Sequence, residues 1–203
     1  MTFSVEEVVE RLADAGVRLD RGLTEADVKR IEQKFGFAFG SDHRALLRAA
    51  LPLGDAWLNW RHATPARIKE RLRAPIESVI ADVMDGGVWP APWGPRPDDA
   101  EAAEQAARTR LAAVAVLVPL YGHCYLPAGP APAGSPVVSV RRGAVRIYPG
   151  GLLGYVDVEF GSEVRPGPAV ATRPERPLTG LPEELAFWAE LAASSESADQ
   201  ARR

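Results

Sequence analysis

Hydrophobic positions in the first fifty residues recur at helical spacing, and capping sequences divide them into segments. Val5, Val8, Val9 and Leu12 form one stripe behind the box Ser4-Val5-Glu6-Glu7, and Gly16 ends it. A second box, Thr24-Glu25-Ala26-Asp27, opens a stripe of Val28, Ile31 and Phe35 that stops at Gly36, with Leu23 and Val28 placed as a hydrophobic staple. Ser41-Asp42 predicts the cap of a third, short helix carrying Leu46, Leu47 and Leu51, closed by Pro52 and Gly54. The aromatic stretch Ala56-Trp57-Leu58-Asn59-Trp60-Arg61 reads as a strand or an extended turn. Thr64-Pro65 then opens a helix through Ile68 and Leu72, and a further turn or two runs from Pro75 through Ile76, Val79, Ile80 and Val83 to Gly86-Gly87. The prolines between Trp89 and Pro97 lack donors and forbid regular structure. Asp98-Asp99 caps an alanine-rich helix to about Ala113.

After that helix the period changes. Val114-Ala115-Val116-Leu117-Val118 is a continuous β-branched run, the pattern of a strand buried on both faces. Pro136-Val137-Val138-Ser139-Val140 and Ala144-Val145-Arg146-Ile147-Tyr148 flank Arg141-Arg142-Gly143, which predicts a β-hairpin. Leu152, Leu153, Val156 and Phe160 have helical spacing, but the alternation Val156, Val158, Phe160 fits a strand equally well. Residues 162–180 read as a proline-rich connector. Leu181-Pro182-Glu183-Glu184 starts a closing helix with Leu185, Trp188 and Leu191 on one face, and residues 194–203 read as a disordered tail. Helices, then a small sheet, then a helix predict an α+β fold in one domain, residues 1–193.

Composition narrows the class. The 203 residues are 46% hydrophobic and 25% charged, enough apolar surface for a core. Twenty-four basic against 27 acidic residues leave a net charge of −3, so no global positive field points to nucleic acid. Only Lys29, Lys34 and Lys69 are lysine, the other basic residues being arginine. The longest apolar run, Leu111 to Tyr121, is shorter than the roughly 20 residues a membrane span needs. The acidic, amphipathic start does not read as a secretory leader, and a single cysteine, Cys124, fits a reducing compartment. The expected location is the cytoplasm, with no membrane association.

No reactive constellation stands out. His123 and Cys124 are adjacent, but neighbouring side chains in extended structure point to opposite faces, so Cys124 reads as a small buried apolar residue. The histidines are His43, His62 and His123, with no C-x-x-C or H-x-x-x-H spacing, and no metal or cofactor is expected. The alternative is a small metal-binding or hydrolytic enzyme built on His62, His123 and Cys124, or a sensor holding an apolar ligand among its tryptophans. Gly150-Gly151-Leu152-Leu153-Gly154 lacks the rest of a phosphate loop and reads as a turn. Asp98-Asp99 and Glu183-Glu184 sit where helix N-termini favour negative charge, so capping accounts for them. What remains is aromatic. Trp57, Trp60, Tyr121 and Tyr125, close in sequence to Asp55, Arg61 and His123, are of the types enriched at binding hot spots.

The ordered segments resemble the SUKH superfamily. Leu23-Thr24-Glu25-Ala26-Asp27-Val28-Lys29-Arg30-Ile31-Glu32-Gln33-Lys34-Phe35-Gly36 followed by Ser41-Asp42-His43-Arg44-Ala45-Leu46-Leu47 is similar to its acidic helix and "P-x-D/E-Y/H-R-x-x-L" opening, with Gly40 where the family has proline. Val118-Pro119-Leu120-Tyr121-Gly122-His123-Cys124-Tyr125-Leu126-Pro127 resembles its strand with proline and a small turn. The segment from Pro136 through Tyr148 to Tyr155 resembles its "P-V-x-S-V … I-x-Y-G … L-x-x-Y" region. Against that pattern residues 86–113 look like an insertion. The resemblance implies N-terminal helices and a C-terminal helix packed on one small twisted, mixed or antiparallel sheet. It also implies a non-catalytic binding role, most often neutralisation of a toxin such as a nuclease or deaminase, or regulation of cell-wall assembly through protein contacts. Asp55, Trp57, Trp60, Arg61, Tyr121, His123 and Tyr125 are the expected partner-binding residues. A net charge of −3 fits, in sign, a partner with a basic surface.

Overall fold

The computed structural model describes residues 4–87, 89–161 and 185–201, except for the side chains of Pro92 and of residues 195–201. Capping chemistry sets the start of the first helices as the sequence predicts. In α1 (Val5–Asp14) the Ser4 hydroxyl accepts the Glu7 N–H, and in α2 (Glu25–Phe35) Thr24 and Asp27 form a reciprocal capping box. The third helix, α3 (Ser41–Ala49), departs from expectation at both ends. Its N-cap is Gly40, with no side-chain cap. Ser41 instead donates to the Ala131 carbonyl at 3.0 Å, and Asp42 turns inward to accept the Gly134 N–H at 2.8 Å. At its other end the chain becomes extended at Ala50, and Leu51, the residue before Pro52, is kept out of the helical region by the proline ring. The result is a strand, β2 (Ala50–Leu53), which pairs antiparallel with β1 (Arg18–Arg21). Neither strand is expected from the sequence.

Another departure is α4 (Pro65–Met84), a single 20-residue helix that runs through Pro75. An interior proline costs about 3 kcal/mol. Burial of Ile68 before it and Val79, Ile80 and Val83 after it, each 4% exposed or less, offsets that cost. The proline-rich stretch contributes one 3-10 turn, Ala91–Trp93, with the Trp89 indole donating to the Gly94 carbonyl at 2.9 Å. Asp99 caps α5 (Ala100–Leu111), which packs on α4 through Ala107 and Leu111.

The central sheet is an antiparallel meander of β3 (Leu117–Tyr121), β4 (Cys124–Pro127), β5 (Val137–Arg141) and β6 (Ala144–Tyr148), in that spatial order. Its first strand starts at Leu117, three residues later than the β-branched run predicts, and Val116 is 48% exposed. The predicted hairpin is present: Arg142 (φ 50°) and Gly143 (φ 75°) both have positive φ, as a two-residue I′ turn requires. Tyr125, Val138, Val140, Val145 and Ile147 line one face with α4, α5 and α7 (Ala186–Ala201). Cys124, Leu126 and Val137 line the other with α1, α3 and α6 (Gly151–Phe160). A third cluster joins α2 and α3 to Phe39, Trp60 and Val118.

The fold is α+β, with a four-stranded antiparallel sheet and a separate two-stranded ladder rather than one sheet. Residues 151–160, equally compatible with helix or strand in the sequence, are helical because their buried positions Leu152, Tyr155 and Val156 all face the sheet and α1. Helix α7 continues to Ala201, past Ser194 where a disordered tail is expected. The connector at 162–180 and the predicted helix start at 181–184 lie outside the described residues. Among the described residues no helix is long and apolar enough to cross a membrane.

The I′ turn is also a docking point. Gly143 N–H donates to the Ser78 hydroxyl at 3.0 Å, and a Cβ on Gly143 would lie 2.1 Å from the Asp82 Cβ. Gly143→Ala should therefore cost about 2 to 3 kcal/mol, combining left-handed strain with overpacking. At Gly16 (φ 76°) a Cβ meets nothing within 4 Å among the described residues, so Gly16→Ala should cost only the strain, about 1 kcal/mol. Urea unfolding of the two variants measures the difference, and equal losses would show that the α4 contact is unimportant.

Candidate functional site

The site is built where three chain segments, far apart in sequence, meet at one end of the sheet. The turn between β3 and β4 is made by Gly122 (φ 52°) and His123. Gly122 N–H donates to the Ala56 carbonyl at 2.8 Å, and Trp57 forms an antiparallel bridge with Tyr121, so this short loop extends the sheet edge beside β3. Phe160, the last residue of α6, completes the cluster. The Trp57 and Tyr121 ring centroids are 4.8 Å apart, Tyr121 and Phe160 5.1 Å, and Trp57 and Phe160 6.0 Å and nearly parallel. All three rings are half-buried, each presenting part of its surface to solvent.

Strand pairing brings charge to the same end. Tyr121 pairs with Cys124, Cys124 with Ser139 and Ser139 with Arg146, a single cross-strand row whose members share one face of the sheet. Three strand spacings separate its ends by about 14 Å. Val140 N–H donates to the His123 carbonyl at 2.9 Å, which puts His123 beside the end of β5 and Arg141. The Arg71 guanidinium, reaching over from α4, donates to the Gly122 carbonyl. Loss of hydration and then Arg141, Arg71 and Arg146 hold the His123 imidazole below its ordinary range, so it is neutral at physiological pH. Burial and the Glu159 carboxylate push the Tyr121 phenol up, keeping it protonated.

The seven residues expected to bind a partner separate by position. Trp57 and Tyr121 come together, His123 lies exposed beside them, and Asp55 is exposed at the start of the loop. Trp60 and Tyr125 do not belong to this surface. They are 4% and 2% exposed and pack in the cores formed with α2 and with α4, Trp60 because its turn places it against Phe37 and Phe39, and Tyr125 because its strand is covered on both faces. Arg61 is spent internally: its guanidinium bonds the Asp20 carboxylate at 2.7 Å and the Arg21 and Gly22 carbonyls at 2.6 and 3.0 Å, fastening the loop to β1. Phe160, Arg71 and Arg146 join the site without having been expected there. Their sequence distance from residues 57 and 121 leaves no local signal, since only the fold brings them near.

The alternative trio is not assembled. Cys124 is buried, and burial raises its thiol, whereas His123 and His62 are exposed. Among the described residues no group of three or more His, Cys, Asp or Glu side chains could hold a metal ion. A second polar feature lies deeper. Asp42 and His43 are 3% and 2% exposed, and Asp42 Oδ1 and His43 Nδ1 have no hydrogen-bond partner among the described residues. Small cavities with room for about one water flank His43, one toward Trp60 and Leu120 and one toward Pro127 and Ser135.

Comparison of the chain with family models, with curated proteins and with solved structures finds no match in any of the three.

Proposed function

We propose that this chain is a cytoplasmic protein-binding module of the immunity type, acting by covering a surface of a partner such as a toxin rather than by catalysis. The observation that supports it is the half-exposed Trp57–Tyr121–Phe160 cluster with His123 at its rim. Partly exposed aromatic rings held rigidly by backbone bonds offer a large contact area at low entropic cost, which is how hot spots are built. The SUKH-like order of motifs from Leu23 to Tyr155 supports the same reading, and membership of that superfamily is part of the proposal.

The double variant Trp57→Ala, Tyr121→Ala tests it. Wild-type protein used as bait in its own host should retain a specific partner, and the variant should bind that partner at least about a hundredfold more weakly, hot-spot aromatics each contributing tenfold or more. Both rings are half-buried, so a melting curve must first show that the variant remains folded. A folded variant that retains the partner as well as wild type would refute the assignment of this surface.

A further inference from the structure

We infer that the partner presents an acidic protein segment to this surface, its carboxylates meeting Arg141, Arg146 and Arg71 while an apolar side chain sits on Trp57, Tyr121 and Phe160. The inference rests on the binding role proposed above and specifies the chemistry of the partner. Several arginines elsewhere in the molecule are committed to carboxylates: Arg44 bridges Glu25 and Glu32, Arg61 holds Asp20, and Arg108 holds Glu77 and Glu104. Among the described residues Arg71, Arg141 and Arg146 form no ion pair. Arg141 and Arg146 are exposed, Arg71 is half-buried, and all three surround His123. A guanidinium presents a planar fork of donors that matches a carboxylate, and guanidiniums without a carboxylate partner beside half-exposed rings form a complementary surface for an acidic-apolar sequence.

Geometry sets the spacing of that sequence. Tyr121 and Arg146 stand about 14 Å apart across the sheet; because Cys124 and Ser139 between them are buried, the segment runs along the sheet end past His123, where an extended chain covers that distance in about four residues. The matching segment therefore carries an aliphatic or aromatic residue and an Asp or Glu about four positions away. A nucleic acid fits less well. A continuous line of phosphates favours an extended basic stripe, which this patch is not. The local charge also reverses the expectation drawn from composition: net charge alone points to a basic partner, whereas the surface flanking the aromatic cluster is cationic.

The test is selection from a random dodecapeptide library on the immobilised full chain, repeated on two folded variants, Trp57→Ala/Tyr121→Ala and Arg141→Glu/Arg146→Glu. Arg71 is left intact because it also holds the β3–β4 turn. Wild type should enrich peptides with the apolar-to-acidic spacing given above. The best of these, labelled and titrated, should bind at least about tenfold more weakly to each variant and weaken as salt is raised. Enrichment that depends on Trp57 and Tyr121 but favours Lys and Arg, or ignores the arginine reversal, overturns the acidic partner and leaves the binding surface standing. No enrichment, or enrichment indifferent to both variants, overturns the surface and the inference together. Tighter binding of a single-stranded oligonucleotide that displaces the peptide overturns the protein partner in favour of a nucleic acid.

Discussion

Replacing Trp188 with alanine is expected to lower the stability of the fold by about 4 kcal/mol, the loss seen when a large aromatic is removed from a closed core. Trp188 is 0% exposed and its indole N–H donates to the Ala115 carbonyl at 3.2 Å. It lies beside Val145 and Ile147 of β6, and Phe187 next to it stacks on Trp93 with ring centroids 5.9 Å apart. One side chain thus joins α7, the segment between α5 and β3 and the edge of the sheet. Truncation leaves a void lined by apolar groups and a partly buried carbonyl without its donor, and the two penalties add. Trp188→Phe keeps most of the volume and loses the donor, so about 1 to 2 kcal/mol is expected there. Urea unfolding of both variants separates the terms. A loss below about 1 kcal/mol for the alanine variant would mean that α7 contributes little to the core.

Much of this architecture is written in local chemistry. The caps at Ser4, Thr24, Thr64 and Asp99 act over three residues, and the I′ turn at Arg142-Gly143 depends on two backbone angles. The closing stripe of Leu185, Trp188 and Leu191 reads off helical spacing in the same way. What sequence reading misses is set by partners distant in the chain. The ladder of β1 and β2 pairs Arg18 with Leu53, and neither strand has an alternating pattern of its own. Pro75 looks like a boundary until the sheet buries α4 on both sides of it. The run Val114 to Val118 has the right composition for a strand, but its register is chosen by Leu117 facing Pro127 and Val118 facing Leu126.

The site was half legible for the same reason. Aromatic type singles out Trp57 and Tyr121, whose rings lie 4.8 Å apart, but type alone cannot separate a half-exposed ring from a buried one. Tyr125 lies between Cys124 and Leu126 on a strand covered on both faces, so alternation gives it no route to solvent. Asp42, His43 and Arg44, which carry part of the proposed SUKH resemblance, are occupied by the fold: Asp42 holds Gly134, His43 lies among rings, and Arg44 bonds Glu32 at 2.8 Å. A short motif of this kind records how α3 is anchored as much as what the protein binds.

That anchoring makes stability depend on pH through His43. The imidazole is packed against Phe39 at 5.1 Å and Trp60 at 6.3 Å, and burial lowers its pKa from 6.5 to about 3. The folded protein therefore keeps His43 neutral where the unfolded chain already binds a proton. Its contribution is fully present above 6.5 and is lost as pH falls from there toward 3, at a slope approaching about 1.4 kcal/mol per pH unit. Asp42 opposes this at the acid end. Burial raises its carboxyl while the Gly134 N–H pulls it back, so the folded state takes up that proton more readily than the unfolded chain and the slope flattens there. His123, also shifted down, adds a smaller term of the same sign from an exposed position. His43→Phe keeps a ring of similar size between Phe39 and Trp60 and removes the proton. Its stability at neutral pH should stay within about 1.5 kcal/mol of wild type, as for other volume-conserving core swaps, while most of the loss on mild acidification disappears. Urea midpoints measured from neutral to mildly acid pH decide the matter: parallel curves for the two proteins would show that the buried imidazole is not the group that titrates.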